Sequence, residues 1–354
     1  MSEEKNILVV GTGLIGTSIA LGLTAQGSQV FLSDIDPAAL ANASKVSGAT
    51  KYSDQDIAVV VVATPPASVA KVIAKAVVDH PRAVITDVAS VKGSIFRELE
   101  QLGTTDWDRI VGGHPMAGRE VSGAIGAQGN LFLDRPWVIA TSDRTSSGAI
   151  GIVKELVESL GAFPVLRSIE EHDRAVALIS HTPQVVASVL AGELMDAQGS
   201  YIELAGQGIR DTIRIAGSDS KLWTEILSDN AQYISQQLNQ VATQLMDFAS
   251  ALDEGNRESV TAKLVKGNQG RDRLPGKHGS SQQSTAILVV RLDDKPGELA
   301  RLFTVAAQAN VNLEDVRIDH SLGHPTGLVE LTVAPTSVAI LKPALEAESF
   351  VVIS

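Results

Sequence analysis

Asn6-Ile7-Leu8-Val9-Val10-Gly11-Thr12-Gly13-Leu14-Ile15-Gly16 decides how this chain folds. A short apolar run enters three glycines spaced Gly-x-Gly-x-x-Gly, and a helical pattern from Leu14 to Gln26 follows. The order is strand, tight turn, helix. The first glycine permits the turn, the second lets backbone approach a pyrophosphate, and the third packs helix on strand. The pyrophosphate would sit at the helix N-terminus, where unpaired N–H groups favour an anion. Gly11, Thr12, Gly13, Leu14, Ile15 and Gly16 are therefore candidate cofactor-binding residues.

Asp34 follows a second apolar run, Gln29-Val30-Phe31-Leu32, eighteen positions after Gly16. An acid at this point accepts from a ribose 2′-hydroxyl and repels the extra phosphate of NADP, so NAD is the expected cofactor. The plainer alternative is a glycine turn beside a surface aspartate. Asp36, before Pro37, suits a helix cap.

Outward from this start, short apolar runs alternate with helical patterns, which favours βαβ units and a parallel sheet. Ile57 to Val62 reads as a central strand buried on both faces. Ala83 to Thr86, Arg109 to Gly112 and Trp137 to Ala140 supply more strands, and Ala162 to Arg167 closes the sheet. From about Glu170 the spacing turns helical, over Asp173 to Met195 and Leu222 to Leu252. Gly267 to Ser284 has no periodic apolar positions and reads as a linker without a packed element. Strand and helix patterns then resume from Thr285 in the order βαββαβ, with a Gly-His-Pro turn at 323–325, which is the ferredoxin-like arrangement. The expected fold class is α/β: a dinucleotide-binding domain over 1–168, an all-α domain over 169–267, a linker over 268–284 and a small βαββαβ unit over 285–354.

Composition narrows the function classes. The chain has 354 residues, is 44% hydrophobic and 20% charged, and carries a net charge of −12, so nucleic acid and anionic membranes are poor partners. It has no cysteine, which removes disulfides, thiol nucleophiles and Cys-based metal sites; no metal is expected. The start, Met1-Ser2-Glu3-Glu4-Lys5, has no signal-peptide pattern. The longest wholly apolar run, Ile57 to Ala63, is too short to span a bilayer. A cytoplasmic location is expected.

The chemistry centres on His114-Pro115-Met116-Ala117-Gly118-Arg119-Glu120. His114 ends a strand at the carboxyl edge of the sheet, where ligands bind in open α/β folds. Imidazole is suited to accept a proton near neutral pH. Alone it would be a structural loop histidine; with a nicotinamide site upstream it suggests a dehydrogenase that removes a proton as it removes a hydride. Ser90, in Asp87-Val88-Ala89-Ser90-Val91-Lys92, either donates to a substrate hydroxyl or caps the following helix. Arg210 and Arg214 lie four apart, which on a helix gives a carboxylate-binding pair or ion pairs with Asp211 and Asp219. His181, in Ser180-His181-Thr182-Pro183-Gln184, reads by itself as a buried, satisfied histidine, and Trp223 as core.

Six motifs taken in order, Gly11 to Gly16, Asp87 to Lys92, His114 to Glu120, Glu171-His172-Asp173, Ser180 to Pro183 and Arg210 to Ala216, resemble the prephenate and arogenate dehydrogenases with a C-terminal ACT domain. The resemblance implies oxidation of prephenate to 4-hydroxyphenylpyruvate, or of arogenate to tyrosine, by a homodimer joined through its helical domain. It implies that His114 takes the proton of the ring C4 hydroxyl, that Ser90 holds that hydroxyl, and that Arg214 binds the ring carboxylate. Arg210 would attract the dianion and His181 would line the entrance. Many relatives have His where Gln184 stands; an amide there leans toward the keto group of prephenate rather than the ammonium of arogenate. Pro296, Gly297, Asn310 and Asn312 correspond to the amino-acid pocket of ACT modules, with tyrosine as the expected effector or, alternatively, no ligand. Rival readings are an arogenate dehydrogenase, a hydroxyacid or hydroxyacyl dehydrogenase, and a catalytically silent amino-acid sensor.

Overall fold

A computed structural model of the chain describes residues 5–117, 123–274, 285–320 and 326–353. Gly118, Arg119 and Glu120 of the His114 motif, the 323–325 turn and most of the expected linker lie outside them. The chain divides into two compact units, 1–243 and 244–354.

In the first unit, β1 (Ile7–Val10), β2 (Val30–Ser33), β3 (Thr50–Lys51), β4 (Val59–Val62), β5 (Val84–Asp87), β6 (Ile110–Pro115), β7 (Pro136–Thr141) and β8 (Phe163–Ser168) form one sheet in the order 3-2-1-4-5-6-7-8. Strand residues alternate between two cores. Ile7, Val9, Val59 and Val61 pack on one face, Leu8, Val60 and Val62 on the other. Helices α1 (Leu14–Ala25), α2 (Pro37–Ser47) and α5 (Ser147–Ser159) contribute to the first core; α3 (Pro66–Asp79) and α4 (Gly93–Gln101) contribute to the second. Each buried Val, Leu or Ile contributes roughly 1.5–3 kcal/mol, so the sheet holds its loops on a rigid base.

The expectation of a wholly parallel sheet needs correction, because β6 and β7 pair antiparallel. Strands β7 and β8 therefore run against the others. His114 also lies within β6, opposite Val138, and not in a loop.

The helical part of this unit starts with α6 (Ile169–Val176), a π-helical turn (Ala177–His181) and α7 (Thr182–Glu193). A capping box between Ser168 and Glu171 begins it. This run is long and apolar enough to cross a membrane by length and hydropathy. It nevertheless buries His172, Asp173, His181 and Gln184 on the protein side, and exposes Leu178, Ile179, Val186, Val189 and Leu190. Short helices α8 (Gly199–Ile202) and α9 (Gln207–Ile213) lead to a 3-10 turn (Arg214–Gly217) and α10 (Ser220–Asp229). Helix α11 then spans Ala231–Asp253.

In the second unit, α12 spans Arg257–Asp272, so the first part of the expected linker is helical. Gly267 and Gly270 cost about 1 kcal/mol each inside a helix, and adding one turn to a formed helix is far easier than nucleating one. Four antiparallel strands follow, β9 (Ala286–Asp293), β10 (Asp315–His320), β11 (Thr326–Val333) and β12 (Val351–Val352), in the order 10-11-9-12. Helices α13 (Glu298–Gln308) and α14 (Val338–Ala347) cover one face through Leu302, Val305, Leu341 and Leu345, against Leu288, Val290, Val329 and Leu331. The βαββαβ order matches the expected ferredoxin-like arrangement.

Candidate active site

Strand order reverses at β1 and β4, and the glycine turn occupies that crevice. Gly11 has φ of +98°, and a Cβ there would lie 2.5 Å from the Ala63 carbonyl oxygen, so only glycine fits. A Cβ on Gly13, by contrast, would meet nothing within 4 Å. The space above the start of α1 is therefore open to a ligand. Asp34 Oδ2 accepts from the Thr12 N–H and hydroxyl, both at 2.7 Å, and Oδ1 accepts from the Asp36 N–H at 2.9 Å. Burial pushes the Asp34 carboxyl up, but these hydrogen bonds together outweigh it and hold the group below its ordinary value. A constant negative charge stands beside the turn. Asp36 caps α2 through the Ala38 N–H, as expected.

At the carboxyl ends of β5 and β6 lies a buried polar cluster. Lys92 Nζ is wholly buried, pairs with Asp87 and donates to the Gly113 carbonyl at 2.7 Å. Burial pushes its ammonium down, while Asp87 pulls it back up. A Cβ on Gly113 would collide with the Asp87 carbonyl, which explains why glycine precedes His114. The half-buried His114 places Nδ1 2.9 Å from His172 Nε2, and His172 Nδ1 lies 2.8 Å from Asp173 Oδ1. The two rings meet edge to face with centroids 5.1 Å apart.

Asp173 also accepts from the Lys92 N–H at 2.9 Å and the Gly93 N–H at 2.7 Å. It thereby serves the N-terminus of α4 from 80 residues away. Capping was one of two expectations for Ser90; Lys92 is the N-cap, so Asp173 takes the role instead. Ser90 sits half-buried in the loop between β5 and α4. Burial pushes the Asp173 carboxyl up, but hydrogen bonds from His172, Lys92 and Gly93 win and hold it low. Burial first, and then His172, Lys92 and His181, hold His114 well below the ordinary histidine value. His114 is thus an uncharged base at neutral pH.

His181 is 1% exposed, which corrects its expected place at an entrance. Asn230, between α10 and α11, donates to the Asp173 carbonyl at 2.9 Å and stands 3.2 Å from His181 Nδ1. The half-buried Trp223 meets the same ring edge-on at 6.0 Å. Burial pushes His181 down to about 4 against the upward pull of Asp173, with His172 adding to the fall. Gln184 is also buried, and its amide donates to the Ile215 carbonyl at 3.0 Å, which ties α7 to the turn carrying Arg214. Arg210, on α9, and Arg214, at that turn, are both exposed. Asp211 accepts from Gln207, and Asp219 caps α10.

In the second unit, Gly297 caps α13 with φ of +95°, and Asn310 follows the same helix with φ of +52°. Asn312 donates to Glu314 at 2.6 Å. Pro296 and Gly297 therefore lie at one end of α13, and Asn310 and Asn312 at the other.

No role could be read in advance for His172, Asp173, Asp87 or Lys92, although each lies in a motif singled out above. The Ser168-x-x-Glu171 capping box marks a helix start and places His172 and Asp173 in its first turns, but nothing local aims them at His114. Asn230 carried no signal.

Sequence models of the prephenate dehydrogenase nucleotide-binding domain and dimerization domain match residues 19–166 and 168–266. A probable prephenate dehydrogenase, NovF, of Streptomyces niveus is 35% identical over 343 residues, covering 94% of each chain. The arogenate dehydrogenase of Synechocystis is 28% identical with a TM-score of 0.68, over 76% of this chain and 99% of that one. The prephenate dehydrogenase of A. aeolicus, solved with hydroxyphenyl propionate and NAD+, is 25% identical with a TM-score of 0.69, over 75% and 97%.

Proposed function

The chain belongs to the prephenate dehydrogenase family, and on that premise we propose that it converts prephenate to 4-hydroxyphenylpyruvate and carbon dioxide with NAD. The observation that carries the reading is His114, a half-buried neutral base held beside a dinucleotide crevice. The crevice suits the cofactor: open space over Gly13, the N-terminus of α1 and the ionised Asp34 match pyrophosphate and ribose in turn. NAD, when bound, accepts the hydride from ring C4. Asp34 would repel the additional phosphate of NADP.

In this reading His114 accepts the C4 hydroxyl proton and Ser90 holds the same oxygen. Arg214 orients the ring carboxylate that leaves as carbon dioxide, and Arg210 draws the dianion against the net negative charge of the protein. Aromatisation supplies the thermodynamic pull, so orientation and one base suffice. A tight grip by Arg214 would stabilise the ground state and oppose the reaction, so this side chain aligns the carboxylate. We assign Gln184 to holding the turn of Arg214, on the strength of its bond to Ile215. The uncharged Gln184, in place of a carboxylate, leans toward a keto side chain over an ammonium. The likeness to the Synechocystis arogenate dehydrogenase supports arogenate as the second reading.

The domain assignment follows the same reading: a dinucleotide domain over 1–168, a helical domain over 169–267 that pairs two copies, and an ACT-type regulatory domain over 285–354. The match to a dimerization domain supports a homodimer, and a cysteine-free chain using NAD suits the cytoplasm. Tyrosine is the proposed effector at Pro296, Gly297, Asn310 and Asn312. A helix of 11 residues separates the two pairs, about 16 Å at 1.5 Å per residue. A pocket lined by both pairs therefore draws them from two copies.

Initial rates of reduced-cofactor formation with prephenate and with arogenate, each with and without tyrosine, test the whole reading. The expected result is a preference for prephenate and inhibition by tyrosine. A preference for arogenate overturns the substrate, and no rate with either overturns the activity.

A further inference from the structure

We propose that His172 and Asp173 act as positioning residues that fix which nitrogen of His114 carries the proton, leaving Nε2 as the basic atom. The inference rests on the reading of His114 as the base and goes beyond it.

The direction of the hydrogen bonds follows from Asp173. Its carboxylate receives two backbone N–H groups, from Lys92 and Gly93, and neither can reverse. Such a group accepts from its remaining neighbour as well, so the contact at 2.8 Å makes His172 Nδ1 the donor. A neutral His172 then presents a lone pair at Nε2. The nitrogen 2.9 Å away, His114 Nδ1, must donate to it. The opposite arrangement sets the lone pair of His172 Nδ1 against a carboxylate oxygen. One carboxylate thus specifies the tautomers of two imidazoles in series.

The chemistry gains in two ways. The substrate O–H bond breaks and an Nε2–H bond forms, with no rearrangement of protons on His114 beforehand. The imidazolium so formed keeps its Nδ1–H bond to His172, which becomes charge-assisted, with the Asp173 carboxylate behind it. The same carboxylate holds the start of α4, whose preceding loop carries Ser90. The positions of the base and of the hydroxyl-holding serine are thereby set by one side chain. Among the described residues, the other titratable groups around His114 are Lys92 and Asp87, beneath β6, and His181, after α6.

The test is nitrogen NMR of the full chain labelled with 15N-histidine, with the His114 signals assigned by their loss in His114→Asn. We expect Nδ1 protonated and Nε2 unprotonated in the wild type at neutral pH. In His172→Leu the acceptor facing His114 Nδ1 is gone, and the His114 proton divides between Nδ1 and Nε2. The kcat of this variant should fall about tenfold or more, the loss of one hydrogen bond to the imidazolium formed in the reaction at about 1.5–3 kcal/mol. KM and NAD affinity should stay within about threefold, about half of a tenfold step in binding free energy. Protonated Nε2 in the wild type overturns the proposal. So does a His172→Leu variant that retains the wild-type nitrogen pattern. The wild-type spectrum decides the matter even if the variant does not fold. It requires no substrate, so failure to turn over prephenate would strike the proposed activity and leave the nitrogen assignment to its own test.

Discussion

Replacing Lys92 with Met should be the most damaging conservative-volume change in the first unit. The Lys92 ammonium is wholly buried and its partner, Asp87, is 1% exposed. Removing it leaves Asp87 charged in the core with the Ala89 N–H at 2.9 Å and a long contact to the Gly113 N–H at 3.4 Å. It also takes a donor from the Gly113 carbonyl. Breaking a buried pair from one side costs about 3–5 kcal/mol. In a unit of this size each kcal/mol moves the midpoint by about 2–4 °C, so Tm should fall by roughly 6–20 °C. The double variant Lys92→Met with Asp87→Asn removes both charges and keeps an oxygen for the Ala89 N–H, so it should regain more than half of the loss. Thermal unfolding followed by circular dichroism measures both variants, with NAD binding to confirm the native fold. A single-variant loss under about 1 kcal/mol would place the pair among those contributing little, as exposed pairs do. Additive losses in the double variant would show that volume rather than uncompensated charge sets the cost.

Two further predictions follow from the same cluster and from the glycine turn. His181, held at about 4 in the fold, titrates near 6.5 when unfolded, so the unfolded chain binds the extra proton between these values. Its contribution to stability is complete above pH 6.5 and is lost as pH falls toward 4, by about 3 kcal/mol from 2.5 units at 1.36 kcal/mol each. His181→Gln should flatten the acid limb of a denaturant-unfolding series, and parallel limbs in the two proteins would refute the assignment. Gly13→Ala should leave Tm within the shift expected of about 0.5 kcal/mol, because the added methyl meets open space. The same change should weaken NAD by about tenfold or more in calorimetric titration, or 1.4 kcal/mol; unchanged affinity would remove the pyrophosphate from this turn.

The cluster around His114 carries little uncommitted negative charge in a chain rich in acid. The net charge is −12, yet the acids nearest His114 are committed. Asp87 is neutralised by Lys92, and Asp173 accepts from one imidazole and two backbone N–H groups. Arg210 and Arg214 are exposed.

Strand β1, the glycine turn and α1 were legible because their signals are local. Apolar alternation, a φ that only glycine adopts and a helix start all lie within eleven residues. The βαββαβ order of the second unit was equally plain, since strand and helix periods differ. The antiparallel turn from β6 into β7 was not, because a strand's direction depends on which edge it reaches and not on its composition. Nor was the helical continuation through Gly267 and Gly270, where the preceding turns of α12 supply what glycine lacks.

His114 could be picked out from the sequence as a candidate base, but its protonation geometry could not. That depends on His172 and Asp173, 58 and 59 positions further on, and on backbone N–H groups at Lys92 and Gly93 that carry no side-chain signature. Sequence determined most of the elements, the glycine turn and the candidacy of His114, because each rests on contacts between near neighbours. Only the tertiary structure decided which way the hydrogen bonds run. A donor and an acceptor are defined by the partner each meets, and here the partners come together only when α6 packs beside the ends of β5 and β6.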